Sequence, residues 1–312
     1  MKKQIISIVV PVFNEEETLN AFYGACMDAI KEADFEVEII FVNDGSRDQS
    51  LSLIRELSKK DARVRGIDFS RNFGSYAAIE AGFAHARGDA VMAISCDLQD
   101  PPSLIREFVP AWRNGAETVW GVRSGRDDPF FKAIYARMFY CFIKRFIWSD
   151  FPNDGMDCGL FDRKIIDEYL RIKDRNSIPF FTIYEMGFVQ ERIPYKRGAR
   201  LAGESGWPFW KRVKCALDIA VGFSYLPIRL SILAGAFCAA CAFAYGSVIV
   251  LLKVFFDTGS PGWSSLAVLI LFLGGLQLIF TGVVAEYVWR ISDKVKGKPI
   301  FLIREIIGNE VD

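Results

Sequence analysis

The chain reads Ser95-Cys96-Asp97-Leu98-Gln99-Asp100-Pro101-Pro102 directly after an apolar run, residues 90–94. The run predicts a buried parallel strand, so the polar side chains would stand at the carboxyl edge of a sheet, where open α/β folds bind ligands. Asp97, Gln99 and Asp100 offer oxygen donors, which suit Mg²⁺ or Mn²⁺ holding a diphosphate. The alternative is an ordinary turn in which the two prolines begin a helix.

The composition narrows the classes of partner and compartment. The 312 residues include 38 Lys and Arg against 38 Asp and Glu, so the net charge gives no indication of nucleic-acid binding. Hydrophobic residues make up 51% of the chain, and their excess lies after residue 225. The seven cysteines are scattered, which predicts free thiols and a cytosolic catalytic domain.

Strand and helix patterns alternate at short spacing through the first half of the chain. Strands are predicted at residues 5–10, 37–42, 64–69 and 90–94, the first ended by Pro11, and a helix follows each of them. This alternation predicts an α/β fold with a mainly parallel sheet and helices on both faces. There is no GxGxxG after the first strand and no GxxxxGK[ST], which argues against a dinucleotide fold and a P-loop.

Polar residues follow each of these four predicted strands. They are Asn14 and Glu15, Asn43 and Asp44, Arg71 and Asn72, and Asp97 and Gln99. By topology all four loops meet along one edge of the sheet, which predicts a ligand site there.

Two arginines follow a predicted fifth strand at residues 118–122. Arg123 and Arg126 would suit anionic oxygens beside a metal–diphosphate site, and solvated surface arginines are the alternative. The next segment, residues 130–148, combines many aromatic residues with four cations and no acid. This composition is typical of a helix in a membrane interface, and an ordinary core helix is the alternative.

The end of the chain carries two apolar stretches, residues 230–252 and 266–288, each long enough to span a bilayer. A second amphipathic interface helix is predicted just before them, at residues 208–225. Basic residues flank the pair on its outer sides, which predicts that both ends lie in the cytoplasm. Buried helices of a large soluble protein are the alternative.

Four segments carry a resemblance to a known family: Pro11-Val-Phe-Asn-Glu15, Val42-Asn-Asp-Gly-Ser46, Arg71-Asn-Phe-Gly74 and Asp97-Leu-Gln-Asp-Pro-Pro102. In order and spacing they resemble glycosyltransferase family 2, with the Rossmann-like GT-A fold. More narrowly, the chain is similar to polyisoprenyl-phosphate glycosyltransferases, which include dolichyl-phosphate mannose synthases and the bacterial enzymes that glycosylate undecaprenyl phosphate. The resemblance covers nearly the whole chain.

The resemblance implies a donor site built on the first loops. Pro11, Phe13 and Glu15 would line the nucleotide base and ribose, and Asp44 would hydrogen-bond the base. For Phe13 the alternative is a core aromatic residue, and for Asp44 it is an Asx turn before Gly45.

The resemblance also implies a metal site and further donor contacts. Asp97 and Gln99 would hold Mg²⁺ or Mn²⁺, and the ion would bridge the diphosphate and neutralise the charge that develops on it. The remaining donor contacts that it implies are Arg71, Asn72, Arg200 and Ser205.

Acceptor and catalytic roles follow from later segments. Asp157 would contact the sugar or the acceptor, and the lipid phosphate would lie near Arg126 and Arg137. The expected catalytic group comprises four residues: Asp97, Asp157, Arg123 and Arg126. Because a phosphate acceptor is already ionised at neutral pH, Asp157 is assigned a positioning role.

The chain departs from the family pattern at three positions. Ser95 replaces the first aspartate of the usual Asp-x-Asp-Leu-Gln, which predicts weaker metal affinity or coordination through water. Gly206 stands where the family has lysine in a loop over the diphosphate, so that contact would pass to Lys211 or Arg212. Gly159 stands where related sequences often have arginine, so the acceptor pocket would differ.

The expected organisation is a cytoplasmic GT-A domain at residues 1–207, a juxtamembrane helix at 208–228, a transmembrane hairpin at 229–290 and a cytoplasmic tail at 291–312. The expected protein is an inverting transferase of the plasma membrane, with its catalytic domain and both termini in the cytoplasm. It would move a sugar to undecaprenyl phosphate, and the first candidate donor is UDP-glucose. Relatives that assemble through their tails imply a homo-oligomer.

Three alternatives to this function stay open. Other donors are GDP-mannose, UDP-GlcNAc, UDP-galactose or an aminoarabinose donor. A processive polysaccharide synthase is a second alternative, although the chain has no Gln-x-x-Arg-Trp motif. A catalytically impaired sugar-nucleotide-binding scaffold is the third, motivated by Ser95 and Gly206.

Overall fold

The computed structural model describes residues 3–124, 140–141, 143–145, 147–152, 155–172, 178–198, 226–256 and 262–308. The chain forms two compact units. One comprises Met1–Gly206 with Lys298–Asp312, and the other comprises Trp207–Gly297. The C-terminal segment, which the sequence interpretation places in a separate tail, therefore groups with the N-terminal unit.

The N-terminal unit is built on one sheet of eight strands in the order β7-β5-β6-β4-β1-β2-β3-β8. The strands are β1 (Ile5–Val12), β2 (Glu36–Asn43), β3 (Val64–Phe69), β4 (Ala90–Ala93), β5 (Thr118–Arg123), β6 (Met156–Asp162), β7 (Gln190–Tyr195) and β8 (Ile303–Ile307). Only β6 and β8 run antiparallel to their neighbours. The predicted α/β class with a mainly parallel sheet is confirmed.

Helices cover both faces of this sheet, as predicted. They are α1 (Leu19–Ile30), α2 (Ser50–Lys60), α3 (Ser75–His85), α4 (Ile105–Arg113), α5 (Arg163–Arg171) and α6 (Pro179–Glu185). One core joins Ile8 of β1 to Phe22 of α1 and Phe108 of α4. On the opposite face α3 approaches β1 so closely that a Cβ atom on Gly82 would lie 2.1 Å from Val9 Cγ1, so this contact requires glycine.

Pro11 does not end the first strand, contrary to the prediction. β1 continues to Val12, and Pro11 pairs in register with Val42. The Ile94 N–H donates to Val9 O on the β4 side of the strand. Pro11, two residues on, faces the same side beyond the end of β4, where its missing N–H leaves no ladder hydrogen bond unmade.

Three further elements differ from the sequence prediction. The sequence pattern predicts a helix over residues 178–191 and a short strand over 192–195, but the helix ends at Glu185 and β7 begins at Gln190. β6 was not predicted as a strand, although it lies between β4 and β5. β8 lies in the predicted tail and pairs with β3.

The second unit contains two long helices, α7 (Leu226–Phe256) and α8 (Trp263–Val295). They contain candidate membrane spans at Ile228–Ile249 and Phe272–Val295, and no part of either apolar window is buried. By length and composition both helices can cross a membrane. Within α8, Arg290 Nε donates to Glu286 Oε1 at 3.0 Å.

Candidate active site

Seven strands bring functional side chains to one edge of the sheet. β1 to β4 end there, as do β5 and β7, which run in the same direction, whereas the antiparallel β6 begins there. The predicted loops after β1 to β4 therefore meet at the same edge as Arg123, which ends β5, and Asp157, near the start of β6. Tyr195 at the end of β7 and Arg197 just after it also reach this edge, and neither is among the predicted site residues.

The loop after β4 is held together by the Ser95 hydroxyl. Ser95 Oγ lies 2.8 Å from Asp97 Oδ1 and 3.0 Å from Asp100 Oδ2. The backbone N–H of Gln99 donates to Asp97 Oδ1 at 3.2 Å, and Leu98 adopts a positive φ of 58°. The residue that replaces the usual first carboxylate thus bridges the two carboxylates that remain.

Asp100, one of the three oxygen donors that the sequence offers to a metal, is a buried member of this edge. Its side chain is 1% exposed, Tyr195 donates a phenol hydrogen bond to Oδ1, and Arg197 Nε lies 3.6 Å from the same oxygen. Burial, together with the negative charge of Asp157, raises the pKa of Asp100. The available signal for Tyr195 and Arg197 was their position at the end of a strand, the same signal that identified the first four loops.

The end of β5 and the start of β6 are joined by an ion pair. Arg123 Nε donates to Asp157 Oδ2, and both side chains are largely buried. Burial acts against the charged form of Arg123, but the hydrogen bond and charge of Asp157 outweigh it and raise the pKa of the guanidinium group. Two of the four predicted catalytic residues are therefore in direct contact.

Asp44 holds the loop after β3. Its Oδ1 accepts the N–H of Phe73 at 2.6 Å and its Oδ2 accepts the N–H of Gly74 at 2.9 Å. Burial raises the pKa of Asp44, and the two backbone hydrogen bonds oppose this effect. The turn-type hydrogen bond of the alternative interpretation of Asp44 is made instead by its neighbour, because Asn43 Oδ1 accepts the N–H of Ser46. A contact of Asp44 with a base remains a prediction.

The loops after β2 and β3 touch at Gly45. This residue has a φ of 67°, and a Cβ atom on it would lie 2.5 Å from the carbonyl carbon of Arg71. Both the backbone conformation and the close approach require glycine. Beside this contact, the Arg71 guanidinium carbon lies 4.0 Å from the centre of the Phe73 ring.

The loop after β1 is tied to the loop after β2. The N–H of Asn14 donates to Ser46 Oγ at 3.0 Å, and Asn14 Oδ1 accepts the N–H of Arg47 at 2.9 Å. The N–H of Glu15 donates to Ser50 Oγ. Phe13 is 46% exposed, so it is not the core aromatic residue of the alternative interpretation.

Gly159 lies in the middle of β6, between β4 and β5. A Cβ atom on it would lie 2.7 Å from Phe161 Cζ and 3.0 Å from Val119 O. The packing therefore leaves no room for the larger side chain of related sequences.

Several predicted residues lie outside the described part of the chain. They are Arg126, Arg137, Arg200, Ser205 and Gly206, together with most of the predicted interface segment at residues 130–148 and the predicted helix at 208–225. Their roles remain predictions.

The donor set after β4 fits a hard divalent cation. Among the described residues, no three His, Cys, Asp or Glu side chains are grouped to hold a metal by themselves. The loop instead offers the Asp97 carboxylate and the Gln99 amide oxygen, with the Ser95 hydroxyl beside them. Magnesium commonly binds to one or two carboxylates, with substrate phosphates and water completing its shell.

Comparison with known proteins finds a glycosyltransferase family model and glycosyltransferase relatives. Residues 7–170 match the model of glycosyl transferase family 2. The chain is 40% identical over 305 residues to the uncharacterized glycosyltransferase YkcC of Bacillus subtilis, covering 97% of this chain and 94% of that protein. It is 37% identical over 301 residues to the SfII prophage-derived bactoprenol glucosyl transferase of Shigella flexneri, covering 96% of this chain and 97% of that protein.

Among solved structures, the mannosyltransferase PcManGT from Pyrobaculum calidifontis, in complex with GDP-Man and Mn²⁺, aligns over 93% of this chain and 88% of that chain, with 17% identity and a TM-score of 0.48. The family match covers more than half of the chain, and the relatives match almost all of it. The chain belongs to glycosyltransferase family 2.

Proposed function

We propose that the protein is a membrane-anchored inverting glycosyltransferase that moves a sugar from a nucleotide diphosphate donor to a polyisoprenyl phosphate. The observation that carries the proposal is the 37% identity to a bactoprenol glucosyl transferase over 96% of the chain, a span that includes both the polar sheet edge and the two apolar helices. UDP-glucose and undecaprenyl phosphate are the first substrates to test. The catalytic unit and both termini would lie on the cytoplasmic side, and a homo-oligomer remains part of the proposal.

The reaction requires little acid–base chemistry. An oxygen of the acceptor phosphate attacks the anomeric carbon of the sugar, and the bond to the nucleoside diphosphate breaks with its electron pair on the departing phosphate oxygen. The acceptor is already an anion at neutral pH, so no strong general base is needed. Rate enhancement must come mainly from positioning and from stabilising the charge on the leaving group.

These tasks would fall to different residues. Asp97 and Gln99 would hold a Mg²⁺ or Mn²⁺ ion, which when bound neutralises charge on the diphosphate. Asp157, fixed by Arg123, would orient the sugar or the acceptor. The first three loops, with Phe13 exposed at their edge, would take the nucleoside. Arg126 and Arg137 would take the acceptor phosphate.

A transfer assay with purified protein tests the proposal. Radiolabelled UDP-glucose, UDP-galactose, UDP-GlcNAc and GDP-mannose are each incubated with undecaprenyl phosphate and MgCl₂ or MnCl₂, and lipid-linked sugar is extracted. We expect one donor to give a product whose anomeric configuration, read by NMR, is opposite to that of the donor. Nucleotide binding without a lipid-linked product from any donor would favour the scaffold alternative instead.

A further inference from the structure

The strand that follows the second apolar helix, β8, is the edge strand of the sheet next to β3. β8 pairs antiparallel with β3, and the N–H of Ser70 donates to Leu302 O at 3.0 Å just beyond the strand. The rings of Phe301 and Phe69 stack with their centres 5.2 Å apart. β8 is therefore attached to β3 at the end from which the polar loop departs.

Arg304 makes a two-pronged contact at this junction. Its Nη2 donates to the Ser70 carbonyl oxygen at 2.8 Å, and its Nη1 lies 3.3 Å from Asp68 Oδ2. Asp68 is fully buried, whereas the Arg304 side chain is 59% exposed. A carboxylate that is buried in this way needs a cation or several hydrogen-bond donors, and losing one partner is costly.

Asp68 connects Arg304 to the loops after β2 and β1 through a series of hydrogen bonds. Its Oδ1 accepts a hydrogen bond from Asn43 Nδ2 at 2.7 Å, and Asn43 is the last residue of β2. Asn43 Oδ1 accepts the N–H of Ser46, and Ser46 Oγ accepts the N–H of Asn14. A continuous series of hydrogen bonds thus links Arg304 to the loops after β3, β2 and β1.

We propose that Arg304 is a positioning residue for the nucleoside of the donor, acting through Asp68 and Ser70 on the three loops that would bind it. The inference rests on the proposed function for the identity of the ligand. It adds to that function a contribution from the far end of the chain. Arg304 itself need not touch the substrate, because the two groups that it binds already belong to the loop.

The test compares Arg304→Met with Glu305→Gln in the full-length protein in detergent or nanodiscs. Glu305 is a matched control, because it lies next to Arg304 on β8 and pairs with Arg55 of α2 through half-exposed side chains. For Arg304→Met we expect the Kd and KM for UDP-glucose, or for GDP-mannose if that is the donor used, to rise about tenfold while kcat stays nearly constant. Arg304→Lys should recover only part of this loss, since an ammonium group cannot reproduce the fork.

Hydrogen exchange supplies a second readout that needs no transfer reaction. Peptides that cover residues 43–46 and 66–74 should exchange faster in Arg304→Met than in wild type, and a peptide that covers β6 should not change. If the wild-type protein transfers no sugar in the assay, that result would count against the proposed function alone. An Arg304→Met protein with wild-type exchange in both loops and unchanged nucleotide affinity would overturn this inference, as would an equal effect of Glu305→Gln.

Discussion

Arg123 and Asp157 form an ion pair across β5 and β6 at the polar edge of the sheet. Each comes from a different strand, and each is largely buried by its surroundings. The pair fixes the orientation of the Asp157 carboxylate beside the loop that carries Asp97 and Asp100. Because a side chain held in one rotamer loses little entropy when a substrate binds, this arrangement is suited to positioning.

Replacing Asp157 by asparagine should lower kcat about 100-fold with little change in the KM for the donor. The amide keeps the shape of the side chain but removes the charge that holds Arg123. Steady-state transfer assays measure both constants. Glu117→Gln is the control, because Glu117, just before β5, forms an ion pair with Lys164 of α5 at the opposite edge of the sheet. Full activity of Asp157→Asn would remove Asp157 from the catalytic group.

Replacing Asp97 by asparagine should abolish turnover while the protein still inserts into the membrane. Asp97 is the carboxylate that the donor set after β4 offers to a divalent cation, and an amide oxygen is a much weaker ligand for Mg²⁺. Transfer assays measure the loss of turnover, and Mn²⁺ titration measures the loss of affinity for the metal. If the variant retains full activity, the assignment of the metal site to Asp97 is wrong.

Changing Ser95 to aspartate should make the protein depend more strongly on metal. The new carboxylate would stand beside Asp97 and Asp100, which now share the Ser95 hydroxyl, so repulsion between like charges should lower the melting temperature in EDTA. A divalent cation relieves the repulsion, and we expect affinity for Mn²⁺ to rise about tenfold. Ser95→Ala is the control. Equal responses of both variants to Mn²⁺ would contradict the prediction.

Changing Asp44 to asparagine should destabilise the protein by about 2 kcal/mol and weaken donor binding. Both carboxylate oxygens accept backbone N–H groups, and an amide nitrogen would face one of those groups with a second donor. Urea unfolding followed by tryptophan fluorescence gives the free energy of unfolding. An unchanged midpoint would mean that the loop after β3 does not depend on Asp44.

The Asp61 carboxylate provides a test by pH. Asp61 accepts hydrogen bonds from Arg63 and Tyr23, and the Arg63 hydrogen bond is the main reason that its pKa falls to about 2. Because the folded pKa lies below the unfolded value, the stabilisation is complete above the ordinary aspartate range. It is lost as the pH falls towards 2. The difference in unfolding free energy between wild type and Asp61→Asn should therefore shrink from pH 5 to pH 3, and a constant difference would contradict this assignment.

The first four strands and their loops could be predicted because the local signals agree. The strands are short apolar runs buried in the sheet, and a polar loop follows each at the edge where parallel strands end. The exposed Phe13 and the buried Asp97 both lie where this logic puts them.

The second half of the site depends on contacts that no local pattern contains. Asp157 was identified only by resemblance, because β6 runs antiparallel and brings the start of a strand to the edge. Asp100 lies 95 residues before Tyr195, its hydrogen-bond partner. Asp44 also has a role that its local sequence does not show, since both of its carboxylate oxygens accept backbone N–H groups from a loop almost 30 residues away.

Pairing between β3 and β8 has a consequence for the order of synthesis. Asp68 precedes Arg304 by 236 residues, and both apolar helices are translated between them. Throughout that interval β3 is the outermost strand of a nascent sheet, with unpaired backbone groups that can bind another chain. β8 can therefore pair with β3 only after the ribosome has passed the second apolar helix, and products that stop before β8 should aggregate.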